Sequence, residues 1–443
     1  METNKNDLII GINDKVSLGK SIFLGLQHVL SMDLYIMPII LSGMIGLSTG
    51  DTAFFIQMSF FACGIATIIQ TGLGIKLPVV QGPSYVPLGA LAAIGAKFGL
   101  GTMIGSLIPG AIVVILLGYF KVFAKVVQKI VPTYIGGLVV LIVGISITPT
   151  AINGVISTQG NLNANMASGF TAAAVLIICM VLSYKSKKIG GMVRLISVIL
   201  ALVLGTIVAG LFGQVDFTAV RDASWFQFPQ LFYFGIPKFD FGSCILMIFV
   251  YIAVLLDTMG TWVTVSSVTG EELNDERLNK AAMGEGAGCL IGSLFGGTPL
   301  TGYSSNVGII AITKVGSRKV IITSGVILMV LGMVPKFMSI IACIPTSVVN
   351  GVFAIVCIIL ISNGIKIIQK EILTERTSLV VGISVLVTVG TLIMPSDIIN
   401  MLPTVLTYFV SSATAVGATT AVILNLLLPK ENKFKVEKEA LKA

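Results

Sequence analysis

Charge is what this sequence has least of. Only 11% of its 443 residues are Asp, Glu, Lys or Arg, while 55% are hydrophobic and the mean hydropathy is +1.00. A soluble domain carries about 25% charged residues. A soluble chain of this length would divide into about three domains, but no polar stretch is long enough to be one, so a membrane protein is expected. Histidine is nearly missing, with His28 alone, and Cys63, Cys179, Cys244, Cys289, Cys343 and Cys357 sit singly in apolar runs. They show neither metal-ligand nor disulfide spacing, so they read as small core residues, and no metal or cofactor is expected. No nucleophile stands with a base, which disfavours a membrane enzyme or a non-transporting receptor. The opening METNKNDLIIGINDK lacks the apolar core of a cleavable signal, and Lys430 to Ala443 reads as a solvated tail.

Long apolar runs are what the chain does have. Hydropathy predicts helices near residues 20–47, 52–70, 100–120, 132–150, 168–184, 192–212, 243–266, 281–296, 319–336, 345–362, 376–394 and 401–428. Two further runs bring the expected spans to fourteen, and both are interrupted. Leu77 to Gly95 and Thr298 to Gly316 each start at a proline (Pro78, Pro299), pass through a short polar, Gly-containing piece, and only then turn apolar and helical. Irregular backbone survives in a bilayer only where protein or a watery cavity surrounds it, so a matched pair of breaks points to a transporter's central site.

Alternate numbering of the connections sorts the cations. Of 28 Lys and Arg, only Lys97, Arg221, Lys238 and Lys336 fall opposite the side shared by the termini. That asymmetry predicts cytoplasmic termini in a cell membrane, and it accounts for the net charge of +8 without a nucleic-acid partner. The two breaks lie seven spans apart, as do the helix openings Pro132-Thr133 and Pro345-Thr346. Seven is odd, so the second half crosses in the opposite sense. The fold class expected is therefore an all-α polytopic membrane protein, a seven-plus-seven inverted repeat with short extended pieces in two broken spans.

Past each break a half-helix opens near mid-membrane, its first N–H groups and positive dipole end facing a cavity. Ser84 and Tyr85 stand on one side, with Ser304, Ser305 and Asn306 on the other. The span after Gly242 adds one acid, Asp257, with Thr261 four residues on and so on the same face. An acid at that depth is a functional candidate. Donors facing one carboxylate suit a planar ligand bearing both C=O and N–H groups.

These residues carry a resemblance. Asn306-x-Gly308-x4-Thr313-Lys314 fits the N-x-G-x4-T-[RK] signature of the nucleobase/ascorbate transporter family, the uracil/xanthine permeases. Leu26-Gln27-His28 resembles that family's first-helix Gln-His, Leu77 to Tyr85 its LP-x-x-QG-x-S-[FY], and Asp257-Thr258-x-Gly260 its E-[ST]-x-G. The resemblance implies a core domain of residues 1–130 and 243–340, moving against a gate domain of 131–242 and 341–443. It also implies uptake of a nucleobase coupled to a cation, a proton in most bacterial members or else sodium, and it admits a homodimer. Where the family mostly has Glu the chain has Asp257, and Ser305 replaces Gln, Glu or Pro. The shorter side chains leave room, which favours a purine such as xanthine or urate over uracil.

Each assignment has an ordinary counterpart. Asp257 also fits a structural acid at helix ends, and His28 a satisfied core residue rather than one that couples or organises the site. Tyr85 serves packing as readily as stacking. Ser305 fits a helix cap, and Gln81 and Asn306 scaffold the breaks. Gly302 and Gly308 read as close-packing positions. Asp33 lies five residues beyond His28, about 140° round a continuous helix, and is expected to face elsewhere. Glu285, beside the charged stretch Glu271 to Lys280, reads as a loop and helix entry without a ligand role. A sulfate or bicarbonate carrier of the same architecture is the alternative function; Asp257 argues against it, because a carboxylate repels a small anion.

Overall fold

The computed structural model describes residues 8–429 apart from 131, 159, 186–189, 372, 403–406, 408–409 and 411. Lys187, Lys188 and the expected tail from Lys430 lie outside the described residues. In chain order the first elements are α1 (Leu18–Leu30), α2 (Ile36–Ile45), α3 (Thr49–Gly72), β1 (Gln81–Pro83), α4 (Leu88–Phe98), α5 (Leu100–Tyr119) and α6 (Val122–Ile130). Then come α7 (Thr133–Ile156), α8 (Leu162–Lys185), α9 (Gly190–Leu211), α10 (Thr218–Asp222), α11 (Phe241–Thr269) and α12 (Asp275–Leu294). The rest are β2 (Leu300–Gly302), α13 (Ser304–Thr313), α14 (Arg318–Leu331), α15 (Pro335–Ala342), α16 (Thr346–Ile368), α17 (Glu375–Leu392), α18 (Ser396–Asn400) and α19 (Ala413–Leu427).

The chain is a helical membrane protein, and helices fall within each of the expected spans, in the last, 401–428, partly outside the described residues. Among the described residues, seven helices are long and apolar enough to cross a bilayer alone. The others are shorter, more polar or interrupted, which is how a chain builds irregular backbone inside a membrane without exposing it to lipid. One difference from the sequence reading is large. The first span is not one rod: α1 and α2 are separated at Ser31 to Tyr35, where Ser31 Oγ turns back to Gln27 O at 2.6 Å. A third interruption therefore joins the two that the prolines announce.

The helices pack in two groups. In one, α14 lies on α3 and α1, while α12 lies on α5 and α3 and α11 on α5. In the other, α16 runs along α7 and α8, α8 along α9, and α17 along α19. Between the groups, α11 touches α7 and α19, and α16 touches α2. Close approach inside the first group depends on missing side chains. A Cβ on Gly64 of α3 would lie 2.5 Å from Gly325 O of α14, and one on Gly325 2.8 Å from Gly64 O, so only glycine fits on either side.

Gly64→Val is expected to lower the midpoint of thermal unfolding in detergent, by the roughly 1–3 kcal/mol of an overpacked interior. Gly382→Ala in α17, whose added methyl meets nothing within 4 Å, is expected to hold or raise it. Equal midpoints for the two variants would contradict the packing described.

Candidate functional site

Pro78 and Pro299 have no N–H to give a helix, and the glycines around them release the chain to extended conformation. Both breaks therefore run as short strands, and the strands find each other. β1 and β2 pair antiparallel in the register Gln81 to Gly302, Gly82 to Thr301 and Pro83 to Leu300. Segments equivalent in the two halves meet head to tail, as an inverted repeat requires. The ladder is extended at its ends by Ser84 N–H to Pro299 O and Tyr303 N–H to Val80 O, both 2.9 Å. A Cβ on Gly82 would collide with Leu34 and Tyr303 at 2.4 Å, so the crossing is also a steric fit.

Hydroxyls from the flanking helices take the backbone groups that the short ladder leaves over. On α3, Thr67 Oγ1 accepts from Gln81 N–H at 2.9 Å and Thr71 donates to Val79 O at 3.0 Å. On α11, Thr258 Oγ1 accepts from Gly302 N–H and Thr261 donates to Gly302 O, each at 2.8 Å. Asn306 Nδ2 crosses from α13 to Pro78 O at 2.7 Å. The same economy operates twice, with one helix of each half supplying two threonines one turn apart.

The residues expected at the site differ in where they lie. Asp257 is partly exposed on α11 and accepts from Thr301 Oγ1 at 3.2 Å, which puts the carboxylate against the strand pair. Ser305 is exposed in the first turn of α13, whereas the side chain of Ser304 lies outside the described structure. Tyr85 is buried with its ring stacked on Phe353 of α16, centroids 5.5 Å apart. Ser84 and Thr261 are turned inward: Ser84 Oγ accepts from Val86 N–H at 3.3 Å, and Thr261 holds β2. Gln81 and Asn306 are buried in the crossing. His28 is buried and lies beside Asn306.

Three readings from sequence are corrected. Asp33 does not face away; it accepts the Tyr85 hydroxyl at 2.7 Å. The rotation of about 140° assumed a continuous helix, and the chain leaves the helix at Ser31. Glu285 is not a loop residue but is buried within α12, accepting from Gln70 Nε2 at 3.0 Å with Thr258 and Gln81 as neighbours. A usable signal existed: counting at about 1.5 Å per residue from the Asn274 cap puts Glu285 roughly 16 Å along the helix. Gly308 is not a packing glycine, since a Cβ there would meet nothing within 4 Å. Ser305, Gly308 and Ile312 instead form one open face of α13.

This architecture has known counterparts. The model of a permease family, the xanthine/uracil permeases, matches residues 19–397. A xanthine permease of Bacillus subtilis (strain 168) is 33% identical over 430 residues, covering 95% of this chain and 97% of its own. The uric acid permease PucK of the same organism is 33% identical over 413 residues, 91% of this chain and 94% of its own. A uracil permease of Bacillus caldolyticus is 29% identical over 447 residues, 96% and 94%. Among solved structures, the transmembrane domain of the cyanobacterial bicarbonate transporter BicA superposes with TM-score 0.62 at 18% identity, over 86% of this chain and 98% of that one. The murine anion transporter Slc26a9, inward-facing, gives 0.63 at 12% identity over 94% and 69%. At such identities the last two speak for the fold alone.

Thr258→Val keeps the shape of the side chain but leaves the buried Gly302 N–H without its acceptor. A loss of about 1–3 kcal/mol is expected, read as a lower unfolding midpoint in detergent. An unchanged midpoint would mean that the hydroxyl does not hold the second break.

Proposed function

Because this chain belongs to the xanthine/uracil permease family, and is a transporter rather than an enzyme, we propose that it imports a nucleobase by alternating access, coupled to a cation, with the proton preferred to sodium. A purine of the xanthine or urate type is preferred to uracil. The observation that carries the reading is the crossing of the two broken spans beside Asp257, in a chain whose full-length relatives are named for xanthine, uric acid and uracil.

In this mechanism a flat base enters next to the strand pair, and Asp257 accepts its ring N–H groups. Ser305, short and exposed at the start of α13, leaves space for the second ring of a purine or for a bridging water. A proton taken up at an acid near the site removes the uncompensated charge that opposes movement through a low-dielectric gate. The helices around α3, α5, α11, α12 and α14 act as the core, and those around α7, α8, α9, α16, α17 and α19 as the gate. Core against gate is a rigid-body movement about a fixed site. The open face of α13 at Ser305, Gly308 and Ile312 supports release along that helix. The bias of basic residues supports cytoplasmic termini. A small-anion carrier is the second reading. It is disfavoured by two carboxylates, Asp257 and Asp33, bonded to residues of the breaks.

Uptake of radiolabelled xanthine, urate, guanine, adenine and uracil into cells expressing the chain, with and without a protonophore and with excess sulfate, tests the proposal. Saturable purine uptake that collapses with the proton gradient and ignores sulfate is expected. Asp257→Ala is expected to abolish it while expression and detergent elution are kept, and Ser305→Gln to alter the order of preferred bases. Normal uptake by Asp257→Ala removes that acid from the site, and uptake of sulfate in place of bases favours the anion reading.

A further inference from the structure

Asp33 is a carboxylate at the crossing that the mechanism above leaves unused. It stands in the third interruption, between α1 and α2, and is only partly buried. The Tyr85 hydroxyl donates to its Oδ2 at 2.7 Å. The adjacent Leu34 packs against the strand pair at Gly82, beside Tyr303. Tyr303 donates its own hydroxyl to Pro83 O at 3.1 Å, neighbours Tyr85, and lies within electrostatic reach of both Asp33 and Asp257. Two acids therefore bracket the paired strands, one from the first span and one from α11.

The hydrogen-bond direction has a chemical consequence. A phenol owns one proton, and here it is committed to Asp33, so toward a ligand the Tyr85 oxygen has only lone pairs. The carboxylate itself accepts and cannot donate while ionised. A ligand carbonyl turned to this pair meets lone pairs against lone pairs, whereas an N–H is satisfied. Tyr85 without Asp33 would be neutral in this respect, since a free hydroxyl rotates to donate or accept.

We propose that Asp33 sets the polarity of Tyr85, so that the two form a second acceptor post for a substrate N–H, apart from Asp257, and select bases with N–H groups on two separate edges. A purine dione meets that requirement, with two N–H groups on its six-membered ring and one on its five-membered ring. Asp33 is on this view a positioning residue and Tyr85 a specificity-determining one. The inference rests on the nucleobase reading above.

The experiment measures inhibition of labelled xanthine uptake by xanthine and its 1-, 3-, 7- and 9-methyl derivatives, each methyl deleting one N–H. Wild type, Tyr85→Phe, Asp33→Ala, Asp33→Asn and the Tyr85→Phe/Asp33→Ala pair are compared. Wild type is expected to reject at least one derivative about tenfold or more beyond the others, because a buried acceptor is left unpaired. Tyr85→Phe and Asp33→Ala are expected to flatten that one ratio to within about threefold, and the pair to flatten it no further, the behaviour of residues acting as a unit. Asp33→Asn, whose amide oxygen still accepts the phenol proton, is expected to keep most of it. A uniform loss across all derivatives, an unaltered ratio in Tyr85→Phe, or a wild type indifferent to methylation overturns the proposal. Tyr85→Phe retains the ring that stacks on Phe353 and decides the question alone should Asp33→Ala not fold. Absence of any base uptake by the wild type is a different result, and fails the nucleobase reading instead.

Discussion

The structure depends on one constraint, that backbone N–H and C=O groups inside a bilayer must all be paired. Two spans that stop being helices at mid-membrane cannot each satisfy that alone. They do so by pairing with one another as β1 and β2, and by drawing threonine hydroxyls from α3 and α11 and the Asn306 amide from α13. The crossing is thereby a junction of five elements from both halves of the chain. Fixed in that way, it holds Asp257 of α11 against Thr301 of β2, the strand that leads into α13.

The same low dielectric governs the acids. Asp33, Asp257 and Glu285 are bonded to Tyr85, Thr301 and Gln70, each a neutral group. The ion pairs among the described residues, Arg277 with Glu271 and Lys280 with Glu276, lie outside the crossing near the start of α12. Carboxylates without a cationic partner in such surroundings are costly. An arriving N–H, or a proton, is the kind of group that relieves that cost, so the substrate binding and coupling proposed above would draw on the same few side chains.

Much of this was legible in the sequence because the relevant signals are local. Proline and glycine announced the two breaks, apolar run lengths the spans, and an isolated acid the carboxylate that lies against the strand pair, Asp257. What stayed hidden depended on contacts between distant segments. The break at Ser31 to Tyr35 carries no proline at its start, so a wheel drawn through it sent Asp33 to the wrong side. Glu285 was read with the charges before it because the start of its helix was set too late. Thr67, Thr71 and Thr258 are ordinary apolar-span threonines in one dimension, and only the arrival of another segment's backbone gives them their task. Gly308 shows the reverse: a small residue in a motif suggests tight packing, yet open space adjoins it.

The central claim is that the paired breaks form the ligand site, with Ser305 at its open edge. Modification of Ser305→Cys by a small maleimide in membranes tests it most directly, with the native cysteines, most of them buried, as the unmodified background. The account predicts labelling that xanthine slows in a saturable way and sulfate does not. Labelling that proceeds at the same rate whatever base is present would contradict it.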